Sequence, residues 1–251
     1  MIVFLNYNEI RMNPTVSILT ITQYKRAANL AILADLIAEQ TYPVLEWILV
    51  EGSPTEAEAK ANAEQIKTLV IPSVRIRYIA TTAGLPLGDL RNRANGAAEG
   101  DIRVVMDDDD YYPPERVHHA VTRLLGSTAL LAGCSAMRMY DYTSHQLIQF
   151  REIHADHSVF SCMAWKRAYE GRCDESATKG EESGFTHEFT EPMVQLDPTP
   201  TIVQSSHGHN TVPKQCIVEK GMGRWLFEVQ DPIESFIPRT YLDRICKAVL
   251  L

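Results

Sequence analysis

The chain contains no C-x-x-C pair. Its five cysteines, Cys134, Cys162, Cys173, Cys216 and Cys246, are odd in number and widely spaced. They read as reduced thiols of a cytosolic protein, not as a disulfide framework or a zinc site. There is no basic tract, and the net charge is −8. Sequence-independent nucleic-acid binding needs a basic face, so nucleic acid is not an expected partner. No apolar run approaches the length of a transmembrane segment. The N-terminus lacks the basic start and apolar length of a signal peptide, and residues 1–13 read as an extension before the first strand. These features set the expected location as cytoplasmic. No repeat and no low-complexity segment occurs. No G-x-G-x-x-G follows the first strand, and no G-x-x-x-x-G-K-[ST] is present. Backbone cradling of a phosphate by a glycine loop is therefore not expected.

The 251 residues, 45% of them hydrophobic, suffice for one large domain or a domain with an appendage. Residues 16–22 form a strand apolar on both faces, as parallel strands are. A helix follows, with Leu30, Leu33, Ala34 and Ile37 on one face. It stops at the Thr41-Tyr42-Pro43 break. Strands over 45–50 and 74–79 and helices over 55–69 and 89–98 continue the alternation. The order β-α-β-α-β-α-β predicts an α/β fold, with a Rossmann-like, doubly wound, mostly parallel sheet. The second half is less regular. It shows a helix over 115–125, a strand over 129–133, a hairpin over 137–142 and 146–151, and an apolar strand over 158–165. A helix within 179–194 begins near Gly180, and a strand covers 201–204. Leu242, Ile245, Val249 and Leu250 suit an amphipathic C-terminal helix.

The stretch that organises the chain is Val104-Val105-Met106 followed by Asp107-Asp108-Asp109-Asp110. A buried strand ends in four carboxylates, and ligands of open α/β sheets bind beyond such carboxyl ends. Adjacent carboxylates repel one another. Water at a solvated turn offsets that cost, and so does a divalent cation in a cleft. An EF-hand loop fits poorly, because Tyr112 stands where glycine is needed and His118 where glutamate is needed. Oxygen ligands of this kind suit Mn²⁺ or Mg²⁺, with substrate phosphates completing the shell.

Several landmarks then recur in a set order. Thr20-Ile21-Thr22-Gln23-Tyr24-Lys25-Arg26 resembles a T-x-Y-N-R turn with one extra residue and lysine for asparagine. Gln40-Thr41-Tyr42-Pro43 matches a Q-T-Y-P segment, and Val50-Glu51-Gly52-Ser53 is a shortened V-D-D-G-S. Leu90-Arg91-Asn92-Arg93, the aspartate run with Tyr112 and Pro114, the Glu181-Glu182 pair and His207-Gly208-His209-Asn210 complete the series. This ordered set resembles the family 2 glycosyltransferases of the GT-A fold, over roughly residues 14–214.

The resemblance implies a metal-dependent, inverting transfer of a sugar from a nucleotide-diphosphate donor, UDP-linked, to a hydroxyl of a glycan or other acceptor. It divides the domain into a nucleotide-binding half, 14–110, and an acceptor-side half, 111–214, with 215–251 as a C-terminal helical appendage. By the same resemblance, Thr22, Tyr24, Glu51, Arg91 and Asp107 would bind the nucleotide. Asp109 and His207 would hold Mn²⁺ or Mg²⁺, with His209 beside them as a second candidate. Glu182 would be the base that takes the acceptor proton, and Trp165 would wall the acceptor pocket or belong to the core. The pairs His118-His119 and His154-x-x-His157 read as helix-face and loop residues. Two other readings keep the fold. A nucleotidyltransferase would carry a glycine-rich basic loop after the first strand, and Thr20 to Arg26 contains no glycine. A non-catalytic sugar-binding relative would have lost the aspartates or Glu182, and both are present.

Overall fold

The computed structural model describes residues 13–208, 210 and 214–250. The first half runs β1 (Val16–Thr22), α1 (Ala27–Ala38), β2 (Glu46–Glu51), α2 (Glu56–Ile66), β3 (Arg75–Ile79), α3 (Leu87–Ala97) and β4 (Ile102–Val105). Strand β1 pairs in parallel with β2 on one side and β4 on the other. These three strands are buried almost throughout, which their runs of Ile, Leu and Val require. Strand β3 is the half-exposed edge. The strand order reverses between β1 and β4, so a crevice opens beyond their carboxyl ends.

The second half contains α4 (Arg116–Leu125), β5 (Leu131–Gly133), β6 (Arg138–Asp141), β7 (Gln146–Phe150), β8 (Ala164–Lys166), α5 (Glu181–Phe185), β9 (Met193–Gln195), β10 (Val203–Ser206), α6 (Gln215–Gly221), β11 (Leu226–Glu228) and α7 (Arg239–Leu250). Strand β8 lies antiparallel between β4 and β5. This gives a seven-stranded, largely parallel sheet in the order β3-β2-β1-β4-β8-β5-β9. A second sheet, β10-β6-β7-β11, contains the expected β6–β7 hairpin.

Some expectations need correction. The apolar stretch 158–165 is not one strand: a 3₁₀ turn, Phe160–Cys162, precedes the short β8. Phe160 is turned into a core with Trp165 and Phe185, and a short apolar run does not reveal such a break. The helix expected within 179–194, beginning near Gly180, is present as the five residues of α5. It cannot continue, because His187, Glu188 and Phe189 all take positive φ (47°, 59° and 59°). Residues 215–251, expected to be an appendage, are woven into the domain. Strand β11 pairs with β7, and α7 buries Tyr241, Leu242, Ile245 and Val249 in the main core. Arg244 of α7 also meets Asp35 of α1 at 2.6 Å. Leu250 is not part of that face and is 51% exposed. Residues 1–12 of the N-terminal extension, and His209, lie outside the described residues.

Candidate active site

Four aspartates leave β4, and each meets a different partner. Asp107 is gripped by Arg91 of α3, Nη1 to Oδ1 at 2.6 Å and Nη2 to Oδ2 at 3.1 Å. Its backbone N–H donates to the Tyr112 hydroxyl at 2.7 Å. Asp108 accepts from Thr22 Oγ1 at the end of β1, at 2.8 Å. Oδ2 of Asp109 receives Arg26 Nη1 at 3.0 Å, lies 3.1 Å from His207 Nε2, and has Asn210 Nδ2 at 3.4 Å. Asp110 accepts the Ser205 N–H of β10 at 2.7 Å. Tyr111 exchanges backbone hydrogen bonds with Val203, so the aspartate segment stitches the two sheets together.

This is not a solvated turn. Asp108 and Asp110 are 9% and 5% exposed. Burial pushes both of their carboxyls up, and the charge of Asp109 adds to the effect. Burial opposes ionisation of Asp109 too, but the His207 hydrogen bond and the charges of Arg26 and Lys214 overcome it and hold this carboxyl low. Asp109 is thus the aspartate kept anionic by a ring of donors.

The Glu181-Glu182 pair opens α5 behind Gly180, which takes φ 66°. The two side chains diverge. Glu181 is buried and accepts from Arg91 Nε at 3.3 Å, so Arg91 bridges Asp107 and Glu181. Glu182 faces the cleft, and among the described residues no side chain hydrogen bonds to its carboxylate. Burial and the neighbouring Glu181 raise its pKa above the ordinary glutamate range. A raised carboxylate aimed into a cleft suits proton transfer.

All of this surrounds one cavity of about 850 Å³ at the carboxyl ends of β1 and β4. Thr22, Arg91, Asp107, Asp109 and Glu182 line it. Gly52 lines it as well, where a Cβ would stand only 3.0 Å from Leu90 Cδ1.

Other expected residues stand elsewhere. The extra residue after β1 is absorbed by a turn in which Lys25 takes φ 72°. That turn puts Gln23, not Tyr24, on the cavity wall, while the Tyr24 N–H donates to Ser53 Oγ at 2.7 Å. Glu51 is 1% exposed. Its carboxylate is occupied by the Ser53 N–H, Asn62 Nδ2 and the Tyr78 hydroxyl, at 2.7, 2.7 and 2.8 Å. Trp165 is 1% exposed and bonds Asn95 Oδ1 at 3.1 Å, so it is core and not a cavity wall. Arg91 is committed to carboxylates, not turned to an open phosphate site. His118 and His119 lie on α4, and His154 and His157 pack with Phe189. Arg26 and Lys214 are the cavity residues that motif reading passes over. The charge of Arg26, inside the T-x-Y-N-R-like turn, was the available signal.

Asp109 Oδ2 and His207 Nε2, 3.1 Å apart, form a donor set that fits Mn²⁺ or Mg²⁺. Two ligands at right angles, each about 2.1 Å from a cation, are separated by about 3 Å. Among the described residues no group of three or more His, Cys, Asp or Glu side chains forms a cage. Substrate oxygens and water would have to complete the shell, as is usual for Mg²⁺.

No curated protein sequence matches the chain. Solved structures do. The mannosyltransferase PcManGT from Pyrobaculum calidifontis, in complex with GDP-Man and Mn²⁺, is 18% identical with a TM-score of 0.60, covering 80% of this chain and 59% of that one. S. aureus TarS 1-349 in complex with UDP-GlcNAc is 15% identical with a TM-score of 0.60, covering 78% of this chain and 60% of that one. At such identities the likeness is one of fold, and the chain spans about three fifths of the length of either structure. The Glycosyl transferase family 2 model matches residues 17–159. A match over more than half of the chain, with the aspartate cleft at its centre, places the protein in glycosyl transferase family 2.

Proposed function

We propose that the protein is a metal-dependent, inverting glycosyltransferase that moves a sugar from a UDP-linked donor to a hydroxyl of a glycan or other acceptor. The observation that carries this reading is the divergence of the acid pair. Both acids border the cavity that Asp107 and Asp109 line, but Arg91 engages Glu181, while Glu182 carries a raised pKa and no side-chain partner among the described residues. Asp107, steadied by Arg91, receives a ribose hydroxyl. Thr22, Gln23 and Gly52 border the base. Asp109 and His207 would hold the cation, which would supply Lewis-acid stabilisation of negative charge on the diphosphate. Glu182 takes the proton of the acceptor hydroxyl as it attacks from the far side of the anomeric carbon, so configuration inverts.

Relatives of the fold support a nucleotide-sugar donor, since the structures above are complexes with GDP-Man and with UDP-GlcNAc. The turn after β1 has no glycine, which disfavours a nucleotidyltransferase. No helix among the described residues is long and apolar enough to cross a membrane. The described cysteines are unpaired, which suits a reducing cytoplasm.

The test is a titration of UDP, GDP and ADP with Mn²⁺ and with EDTA, followed by turnover of the matching nucleotide sugars. UDP is expected to bind more tightly than ADP, and only with the cation. Undiminished UDP affinity in EDTA removes the metal, tighter ADP removes the uridine assignment, and retained anomeric configuration by NMR removes the mechanism.

A further inference from the structure

The cavity lining comes from two parts of the fold that differ chemically. The aspartate side offers carboxylates, Arg26 and Lys214, whose Nζ donates to Ser205 O at 2.9 Å. From the second sheet come Phe150 of β7 and Ile217 of α6, which pack against its core of Met139, Ile148 and Leu226; with Val159 they line the cavity with side chains that carry no hydrogen-bonding atoms. The polar side chains beside that wall, Ser161 and Gln204, are bonded to each other at 3.3 Å. The apolar lining also continues outward. The Phe150 ring lies 5.9 Å from Trp225, and Trp225, Phe227 and Met222 are 36%, 42% and 37% exposed. They flank Leu226 of β11, whose side chain is buried against Ile217 and Phe150.

At about 850 Å³ the cavity is near the top of the range for one ligand, about 300–1,000 Å³, and has room beyond a nucleotide sugar. A nucleotide sugar is polar along its length and belongs at the aspartate side. A bare polyol laid against Phe150, Val159 and Ile217 would lose water from its hydroxyls with nothing to replace it. We propose that the acceptor is amphiphilic: its reactive hydroxyl meets Glu182, and an alkyl or aryl group attached to it runs along Val159, Phe150 and Ile217 and leaves the cleft past Trp225. This rests on the glycosyltransferase reading and adds the chemical class of its acceptor.

Trp225 makes the proposal measurable. Trp47 and Trp165 are 0% and 1% exposed, so acrylamide quenching of tryptophan fluorescence reports Trp225. The probes are octyl β-glucoside, kept below its micelle threshold, and methyl β-glucoside. Octyl glucoside is expected to shield Trp225 and methyl glucoside is not. The affinity difference should be roughly tenfold for every two methylenes removed from water. Ile217→Ser and Phe150→Ser are expected to weaken the shielding while UDP binding with Mn²⁺ persists, which shows that each variant is folded. Equal behaviour of the two glucosides overturns the proposal. Shielding that survives in both variants also overturns it, because the detergent then lies only on the outer lip. If no nucleotide diphosphate binds the wild type while octyl glucoside still shields Trp225, the glycosyltransferase reading fails separately from the apolar subsite.

Discussion

Arg91 holds Asp107 through two nitrogens, at 2.6 and 3.1 Å, while its third nitrogen reaches Glu181 at 3.3 Å. One buried guanidinium thereby fixes the spacing between the carboxylate at the end of β4 and the acid pair of α5. The Phe160 ring, 4.7 Å from the guanidinium carbon, covers it. Only arginine has the planar fork for this task. Arg91→Lys should retain charge but lose the two-point grip, and Arg91→Ala should leave the buried Glu181 and the partly buried Asp107 uncompensated. Urea denaturation is expected to show a loss of about 3 kcal/mol for the alanine variant and less for lysine. Wild-type stability in Arg91→Ala would mean that the bridge does not hold the site together.

Glu182→Gln should lower turnover by roughly 10²–10⁴-fold, the usual worth of a positioned base. Donor affinity should stay near wild type. Glu181→Gln should cost far less turnover, because the Glu181 carboxylate is engaged by Arg91. The raised pKa of Glu182 places the acid limb of the rate profile above the ordinary glutamate range. That limb should vanish in Glu182→Gln and persist in Glu181→Gln. A reversed ranking would move the base to Glu181.

Asp109→Asn should weaken cation and UDP binding together, since one oxygen, Oδ2, faces Arg26, His207 and Asn210. Calorimetry with Mn²⁺ and then with UDP measures both. Loss of one affinity without the other would separate the cation from the diphosphate.

Glu46 gives a stability prediction away from the cleft. It is fully buried and accepts from Ser17 Oγ, the Glu99 N–H, Arg75 and Arg77, at 2.6, 2.7, 2.7 and 3.2 Å. Burial alone would raise its pKa, but these bonds prevail and hold it at about 2, against an ordinary 4.5. A folded-state value below the unfolded one stabilises the protein above about pH 4.5, and that contribution fades as pH falls through about 2. Glu46→Gln should be less stable by roughly 1–3 kcal/mol at pH 7, toward the low end because Arg75 is half-exposed. The gap between variant and wild type should close between about pH 5 and pH 2. A gap that is constant with pH would show that the carboxylate charge does not matter.

The first half of the fold is legible in the sequence because β1, β2 and β4 are buried on both faces, and their apolar runs end in turn residues or acids. The aspartate run stands out in the sequence as a candidate site because four carboxylates follow the buried run Val104 to Met106. The second half is less legible. Its strands are three to five residues long, and Phe160 and Trp165 look alike whether they line a pocket or fill a core. Arg91 was readable as a cleft residue, but not its partners, because Glu181 lies 90 positions away. The displacement of Tyr24 by Gln23 depends on Lys25 adopting a left-handed backbone, which a lysine does not announce.

The saturated carboxylate of Glu51 has a last consequence. Three donors, from Ser53, Asn62 and Tyr78, draw the end of β2, the following loop, α2 and β3 onto one side chain. The adjoining Gly52 borders the cavity. This wall is therefore ordered when the chain folds and not when a nucleotide arrives. Conformational entropy lost at folding is not lost again at binding, so whatever ligand meets this wall meets a preorganised surface and not one that must be ordered by induced fit.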